Sequence, residues 1–193
     1  MVSPCEIILT ECNKTKAKAL SELAYTEVKR IEKKFSRYRH DNIVYQINHS
    51  NGQPVDIDEE TSRLLSFSNQ CYLASNGLFD VTSGILRKAW QFDGGDKIPS
   101  IREIEPLLPL IGWDKVTWNT HSISLLPSME LDFGGIGKEY AVDRVLLMLS
   151  EKHAHPLLVN FGGDIATNGA LFSEHQWSIG IEAFAHKHVA DVF

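Results

Sequence analysis

The stretch Leu131-Asp-Phe-Gly-Gly-Ile-Gly-Lys-Glu-Tyr-Ala-Val-Asp143 sets a glycine pair, a third glycine and a lysine between a short apolar strand and an amphipathic helix. Paired glycines at a strand exit let the backbone come close to a neighbour, because no Cβ stands in the way. The following helix offers free N–H groups and the positive end of its dipole, a combination suited to phosphate or pyrophosphate. Asp132 and Lys138 bracket the turn with one acceptor and one cation. A plain tight turn would use the same residues, so both readings stand at this point.

Two further segments repeat the design of an apolar element followed by small residues and an acid: Phe79-Asp-Val-Thr-Ser-Gly84 and Asn160-Phe-Gly-Gly-Asp164. Converging, such loops would form a pocket in which backbone N–H groups meet phosphate and carboxylates orient a ring system. A carboxylate there also suits magnesium, a hard cation that prefers oxygen. Asp80 and Asp164 equally suit helix caps and turns, and Asp143 reads as a surface residue of its helix.

The elements around these loops are mixed. Glu6–Thr10 reads as an opening strand. From Asn13, an N-cap residue, Leu20, Leu23, Ala24, Val28, Ile31 and Phe35 fall at helical spacing. A second helix starts after Asp58, carries Leu64, Leu65, Phe67, Cys71 and Ala74, and stops at Asn76-Gly77. Leu78–Gly84 then reads as an abrupt loop. Ser100-Ile-Arg-Glu103 has the capping-box pattern, and Lys115–Asn119 with Ser122–Leu125 reads as a hairpin. A third long helix covers about Ile136–Glu151, with Tyr140, Ala141, Val145, Met148 and Leu149 inward. Pro156–Asn160 is a buried strand, and Gln176–Ile181 a last one. Without strict β-α-β alternation the pattern predicts an α+β fold, with mixed or antiparallel sheets and packed helices, as a single domain over residues 1–193.

Composition narrows the function. The chain of 193 residues has a net charge of −6 and shows no basic run, against a nucleic-acid partner. No apolar stretch approaches the roughly 20 residues of a membrane span. Three cysteines without CxxC spacing exclude a zinc ribbon or disulfide framework and point to a reducing compartment. His153 with His155 and His186 with His188 are spaced for one strand face, but no partner set completes a zinc site, so they read as exposed loop histidines. There is no Gly-x-Ser-x-Gly elbow and no Walker A spacing.

Taken together, Met1–Glu6, Phe35-Ser-Arg-Tyr-Arg39, Leu78–Gly84, Leu131–Asp143 and Val159–Ile165 resemble the ApbE family of FAD:protein FMN transferases, in the family's order and across essentially the whole chain. The resemblance implies an ApbE-like (T-fold-like) architecture. It also implies a magnesium-dependent transfer of FMN from FAD to a threonine or serine hydroxyl of an acceptor flavoprotein, with release of AMP. Residue by residue, the FAD contacts it implies fall on Met1, Tyr38, Leu78, Phe79, Asp80, Asp132 and Lys138, with the Gly135 carbonyl toward the metal. Tyr38 would equally serve as a packing residue and Phe79 as core wall. No catalytic residue is assigned.

Family members continue past the position of Phe193, with a histidine motif and an Asp/Thr motif, and the expectation is of a C-terminally truncated architecture that transfers little flavin alone. The alternative is a non-catalytic FAD- or nucleotide-binding module, or a fragment needing a partner. The start of the chain, without a leader segment, points to the cytoplasm, or to the periplasm if the true N-terminus lies upstream.

Overall fold

The computed structural model describes residues 3–90, 98–170, 176–182 and 189–192. In chain order the elements are β1 (Cys5–Leu9), α1 (Lys14–Phe35), α2 (Ile43–Asn48), β2 (Val55–Asp56), α3 (Glu59–Ala74), a 3-10 helix (Val81–Lys88) and α4 (Ile101–Ile104). Two short 3-10 turns (Glu105–Leu110 and Trp113–Lys115) lead to β3 (Thr117–Trp118), β4 (Ser122–Ser124), α5 (Gly137–Ser150), β5 (Leu157–Phe161), β6 (Asp164–Thr167), β7 (Gly180–Glu182) and β8 (Val189–Val192). The fold is α+β, as expected, and every strand pairing in it is antiparallel. The chain divides into two compact units, residues 1–28 with 141–193 and residues 29–140.

In the first unit β5 is the middle strand of the order β1-β5-β6. Its register sets Ile7 opposite Val159 on one side and Val159 opposite Ala166 on the other. Leu157, Leu158, Val159 and Phe161 are buried, as a central strand requires, and only Asn160 interrupts its apolar side chains. The β5–β6 connection is the two-residue loop Gly162-Gly163, with φ of +63° and +98°. Both values lie where glycine is favoured, and this pairing of positive φ is the hairpin turn that matches strand twist. The Asn160–Asp164 segment is therefore a tight turn in its own right. His153, expected to be an exposed loop residue, is instead buried at 1% exposure, with Nε2 2.9 Å from the Thr10 carbonyl. The bond satisfies one ring nitrogen, while Nδ1 is buried with no hydrogen-bond partner among the described residues. His186 and His188 lie outside the described residues.

α1 starts as Asn13 predicts: its Oδ1 accepts the Lys16 N–H at 2.9 Å, and Lys33 and Lys34 in the last turn complement the dipole. Leu20, Ala24, Val28, Ile31 and Phe35 form the buried stripe, whereas Leu23 falls beside it and is half exposed. In the second unit α3 begins at Asp58, whose Oδ1 accepts the Thr61 N–H at 2.9 Å. The helix buries Leu64 and Leu65 and leaves Phe67 largely outside. It ends where Asn76 and Gly77 take φ of +52° and +81°. At its start Glu60 accepts from Arg30 at 2.6 Å, from Lys34 at 2.6 Å and from the Tyr140 hydroxyl at 2.5 Å. The Arg30 bonds, then those of Lys34 and Tyr140, outweigh burial and hold the Glu60 carboxyl far below its ordinary range. The hairpin at 115–125 forms as β3 and β4, and β2 joins it in the order β2-β4-β3.

Two expectations of local structure are corrected. Leu78–Gly84 is a loop only through Phe79; from Val81 the chain winds into the 3-10 helix, because Asp80 caps it by accepting the Thr82 N–H at 2.8 Å. The strand expected at Gln176–Ile181 is shorter and later, Gly180–Glu182, and it is not the last, since β8 follows and pairs with it. Ile43–Asn48 forms the short helix α2, capped by Asn42, whose side chain accepts the Tyr45 N–H at 2.9 Å. All three cysteines are free, and among the described residues no helix is long and apolar enough to cross a membrane.

Candidate functional site

Two of the three acid-bearing loops meet within the unit of residues 29–140. The Asp132 N–H donates to the Val81 carbonyl at 2.9 Å, joining the glycine-rich stretch directly to the start of the 3-10 helix. The residues just before it, expected as a short strand, form none; Asn48 pairs with their backbone instead, its Oδ1 accepting the Leu131 N–H at 2.7 Å and its Nδ2 donating to the Leu131 carbonyl at 3.0 Å. Buried Leu131, Phe133 and Ile136 anchor the loop from below. Phe133 meets Phe35 edge to face, with ring centroids 5.6 Å apart. The third loop, Asn160–Asp164, belongs to the other unit.

The glycines here serve close approach rather than unusual backbone angles, since none of Gly84, Gly134, Gly135 and Gly137 has positive φ. A Cβ on Gly84 would sit 2.6 Å from the Asp132 Cβ, and one on Gly135 would sit 2.9 Å from the Phe79 ring. Glycine at 84 lets the two loops touch, and glycine at 135 lets the edge of the Phe79 ring come close to the loop.

A cleft of about 530 Å³ opens over this junction, within the size range of small-molecule sites. Leu78, Phe79, Leu86 and Trp90 give it apolar wall, Asp80 and Asp132 carboxylates, Arg37 and Arg87 cations, and Gly135 a stretch of bare backbone. Asp80 is engaged on both oxygens. Oδ1 accepts from the Thr82 N–H at 2.8 Å and from the Thr82 hydroxyl at 2.6 Å, while Oδ2 accepts the Trp113 N–H at 2.9 Å. The Thr82 oxygen in turn accepts the Gly112 N–H at 2.8 Å. Asp80 and Thr82 therefore stitch the 3-10 helix to the Gly112-Trp113 segment, and Asp80 shapes the cleft wall.

Asp132 is divided between two partners. Oδ2 accepts from Arg37 Nη1 at 2.7 Å, and Oδ1 accepts the Gly134 N–H at 2.9 Å. Arg37 also donates to the Tyr38 hydroxyl at 2.9 Å and lies 4.9 Å from that ring's centre. Burial works against the Arg37 charge, but the Tyr38 oxygen and the Asp132 carboxylate outweigh it, so its pKa is raised. The guanidinium thus remains a fixed cation. Asn42 holds this turn by donating to the Lys33 and Ser36 carbonyls at 3.0 and 2.7 Å.

The residues singled out from sequence fare unequally. Leu78, Phe79, Asp80, Asp132 and Gly135 all line the cleft. Tyr38 is 77% exposed and Leu78 92% exposed, so neither is a packing residue. Phe79 is only half buried. Lys138 is half buried on the first turn of α5 and is not part of the cleft wall. Met1 lies outside the described residues. Arg37, Arg87 and Trp90 were not anticipated. The signal for Arg87 was available: Glu130 stands between the apolar Met129 and Leu131, and a carboxylate in such a place needs a cation.

Magnesium requires several oxygen ligands. Among the described residues no group of three histidine, cysteine or acidic side chains could hold a metal ion. A lone Gly135 carbonyl does not make such a site, and Asp132 is already committed to Arg37. These residues do not fit a magnesium ion by themselves.

Comparison with known proteins places these features. The ApbE family model matches residues 1–192. The FAD:protein FMN transferase of Klebsiella pneumoniae (strain 342) is 28% identical over 169 residues, covering 85% of this chain and 52% of that protein. The protein of the same name from Haemophilus influenzae is 26% identical over 178 residues, with coverage of 85% and 51%. The crystal structure of the ApbE protein from Thermotoga maritima superposes with a TM-score of 0.84 at 28% identity, covering 96% of this chain and 61% of that one. The chain spans about half the length of the curated relatives it matches.

Proposed function

The chain belongs to the ApbE family, and on that premise we propose that its cleft binds FAD as substrate of a FAD:protein FMN transferase. In the reaction proposed, a threonine or serine hydroxyl of an acceptor flavoprotein attacks the FMN phosphorus. The new P–O bond replaces the pyrophosphate linkage, AMP leaves, and the hydroxyl proton is lost. The observation that carries the reading is the coincidence of motif and cleft: Leu78–Gly84 and Asp132–Gly135, two of the segments through which the chain resembles the family, wall one 530 Å³ opening.

The residue types support it. Leu78, Phe79 and Trp90 offer apolar and aromatic surface for ring systems, and Arg37 and Arg87 offer positive charge for phosphates. Asp132 is a hydrogen-bond acceptor held in place by Arg37. Tyr38, Leu78, Phe79, Asp80 and Asp132 are proposed as FAD contacts on this basis. Met1 and Lys138 are proposed from the resemblance alone. Because the described residues do not form a magnesium site, FAD binding is proposed to be independent of the ion.

The test is a titration with FAD followed by flavin fluorescence, with and without EDTA, then incubation with FAD, magnesium and an acceptor flavoprotein. Saturable binding insensitive to EDTA supports the reading, and AMP release with covalent flavin on the acceptor establishes transfer. Absence of any FAD binding would overturn it. Binding without AMP release would leave a flavin-binding module.

A further inference from the structure

We propose that Arg87 is the phosphate-reading residue of the cleft, a role that rests on the FAD reading above, and that buried Glu130 is its positioning residue. The two cations of the cleft wall are not equivalent. Arg37 spends Nη1 on Asp132 at 2.7 Å and Nη2 on Tyr38 at 2.9 Å. Arg87 is tied through Nε, which donates to Glu130 Oε2 at 2.6 Å. Its two terminal nitrogens have no partner among the described residues. The side chain is 45% exposed and lines the cleft.

Glu130 is suited to this task. The residue is 8% exposed, between the buried side chains of Met129 and Leu131. It accepts from Arg87 on one oxygen, and Lys88 Nζ lies 3.0 Å from the other. Neutralising so enclosed a carboxylate takes one cation, and two are present. The surplus positive charge is carried at the cleft by a planar fork whose inner edge is locked. A guanidinium held this way presents its outer N–H groups to an anion with two acceptor oxygens, the geometry of phosphate recognition. The other charged groups facing the cleft, Asp80 and Asp132, are occupied by Trp113, Thr82, Arg37 and Gly134. The ligand chemistry read by Arg87 is therefore a phosphate or pyrophosphate oxygen pair, as in FAD or ADP, and not the flavin ring.

The experiment compares wild type with R87Q, R87K and E130Q, titrated with FAD, ADP, inorganic pyrophosphate and riboflavin at low and at moderate salt. The expected result is a loss of about tenfold or more in affinity for the three phosphate-bearing ligands in R87Q. Riboflavin affinity should change less than about twofold. R87K, with charge but no fork, should fall between, and E130Q should weaken the same three ligands while lowering the melting temperature. The affinity of wild type for phosphate-bearing ligands should drop with salt, and R87Q should lose part of that slope. Equal loss of riboflavin and FAD in R87Q would assign Arg87 a merely structural role and overturn the proposal, as would unchanged FAD and pyrophosphate affinity. If R87Q unfolds, R87K decides on the same readouts. If wild type binds ADP and pyrophosphate through Arg87 but no flavin, the FAD reading falls while this one stands.

Discussion

Replacing Gly84 by alanine tests whether contact between the two loops builds the cleft. An alanine Cβ would lie 2.6 Å from the Asp132 Cβ and 3.2 Å from the Asp132 nitrogen. Non-bonded carbons prefer roughly 3.5–4.0 Å, so one loop must retreat by about 1 Å. Neither side yields easily: Gly84 and Ile85 are buried, and the Asp132 N–H is bonded to Val81. Overpacking of this kind costs about 1–3 kcal/mol. At roughly 2–4 °C per kcal/mol for a chain of this size, the melting temperature should fall by roughly 2–12 °C. The same retreat would disturb the 2.7 Å Arg37–Asp132 pair, so FAD affinity should fall as well. Gly135→Ala and Gly137→Ala complete the series. At 135 the obstacle is the edge of the Phe79 ring at 2.9 Å, which can swing aside at about 0.5–1.5 kcal/mol. At 137 nothing lies within 4 Å, and alanine in the first turn of α5 should be neutral or stabilising. Differential scanning calorimetry of the three variants, with FAD titrations on each, gives the order. A Gly84→Ala protein melting with wild type, or a Gly137→Ala protein falling as far, would refute the reasoning.

Asp80→Asn puts an amide nitrogen where one oxygen now accepts, so either Trp113 or Thr82 loses its bond; about 1–3 kcal/mol of stability should go, read as a shifted urea midpoint. A midpoint equal to wild type would contradict the stitching role. The depressed pKa of Glu60 makes its stabilisation complete above about pH 4.5 and lost as pH falls through the folded value. Accordingly, wild type should exceed Glu60→Gln in stability at about pH 7 and by less at about pH 3, in urea melts at both; a constant gap would exclude Glu60 as the source. In the β5–β6 hairpin, Gly162→Ala meets both a φ of +63° and a Ser3 Cβ at 2.5 Å, whereas Gly163→Ala meets only a φ of +98°. Gly162→Ala should therefore cost more, and equal denaturation midpoints would show that the Ser3 contact is unimportant.

The three loops that look alike in sequence show how far local pattern reaches. Helix starts were legible because caps act within three residues: Asn13, Asp58 and the Ser100–Glu103 box each satisfy helix N–H groups that sequence alone locates. The meaning of Gly-Gly-Asp was not, because φ decides it. Gly162-Gly163 turns a hairpin with positive φ, while Gly134-Gly135 keeps negative φ and clears space for Phe79. The 3-10 helix after Asp80 was missed for a related reason. Asp80 closes a local cap and also reaches Trp113 across 33 residues, and only the first of these bonds has a short-range signature. Arg37 sat inside a quoted segment and Arg87 just beyond another, but their pairings span 95 and 43 residues. Charge partners at such separations have no spacing rule to reveal them.

The approach of Gly84 to Asp132 binds the histories of two distant segments. A substitution at either position changes which neighbours the other tolerates, so the two cannot drift independently. In a combinatorial library randomised at both sites and selected for folded protein, survivors should be distributed as pairs: a larger residue at 84 would persist only beside a smaller one at 132, which would then forfeit the carboxylate that Arg37 holds. Stability could be recovered along that path, but the ligand site could not, which makes position 84, a part of the cleft wall with no side chain of its own, a guardian of the Arg37–Asp132 pair.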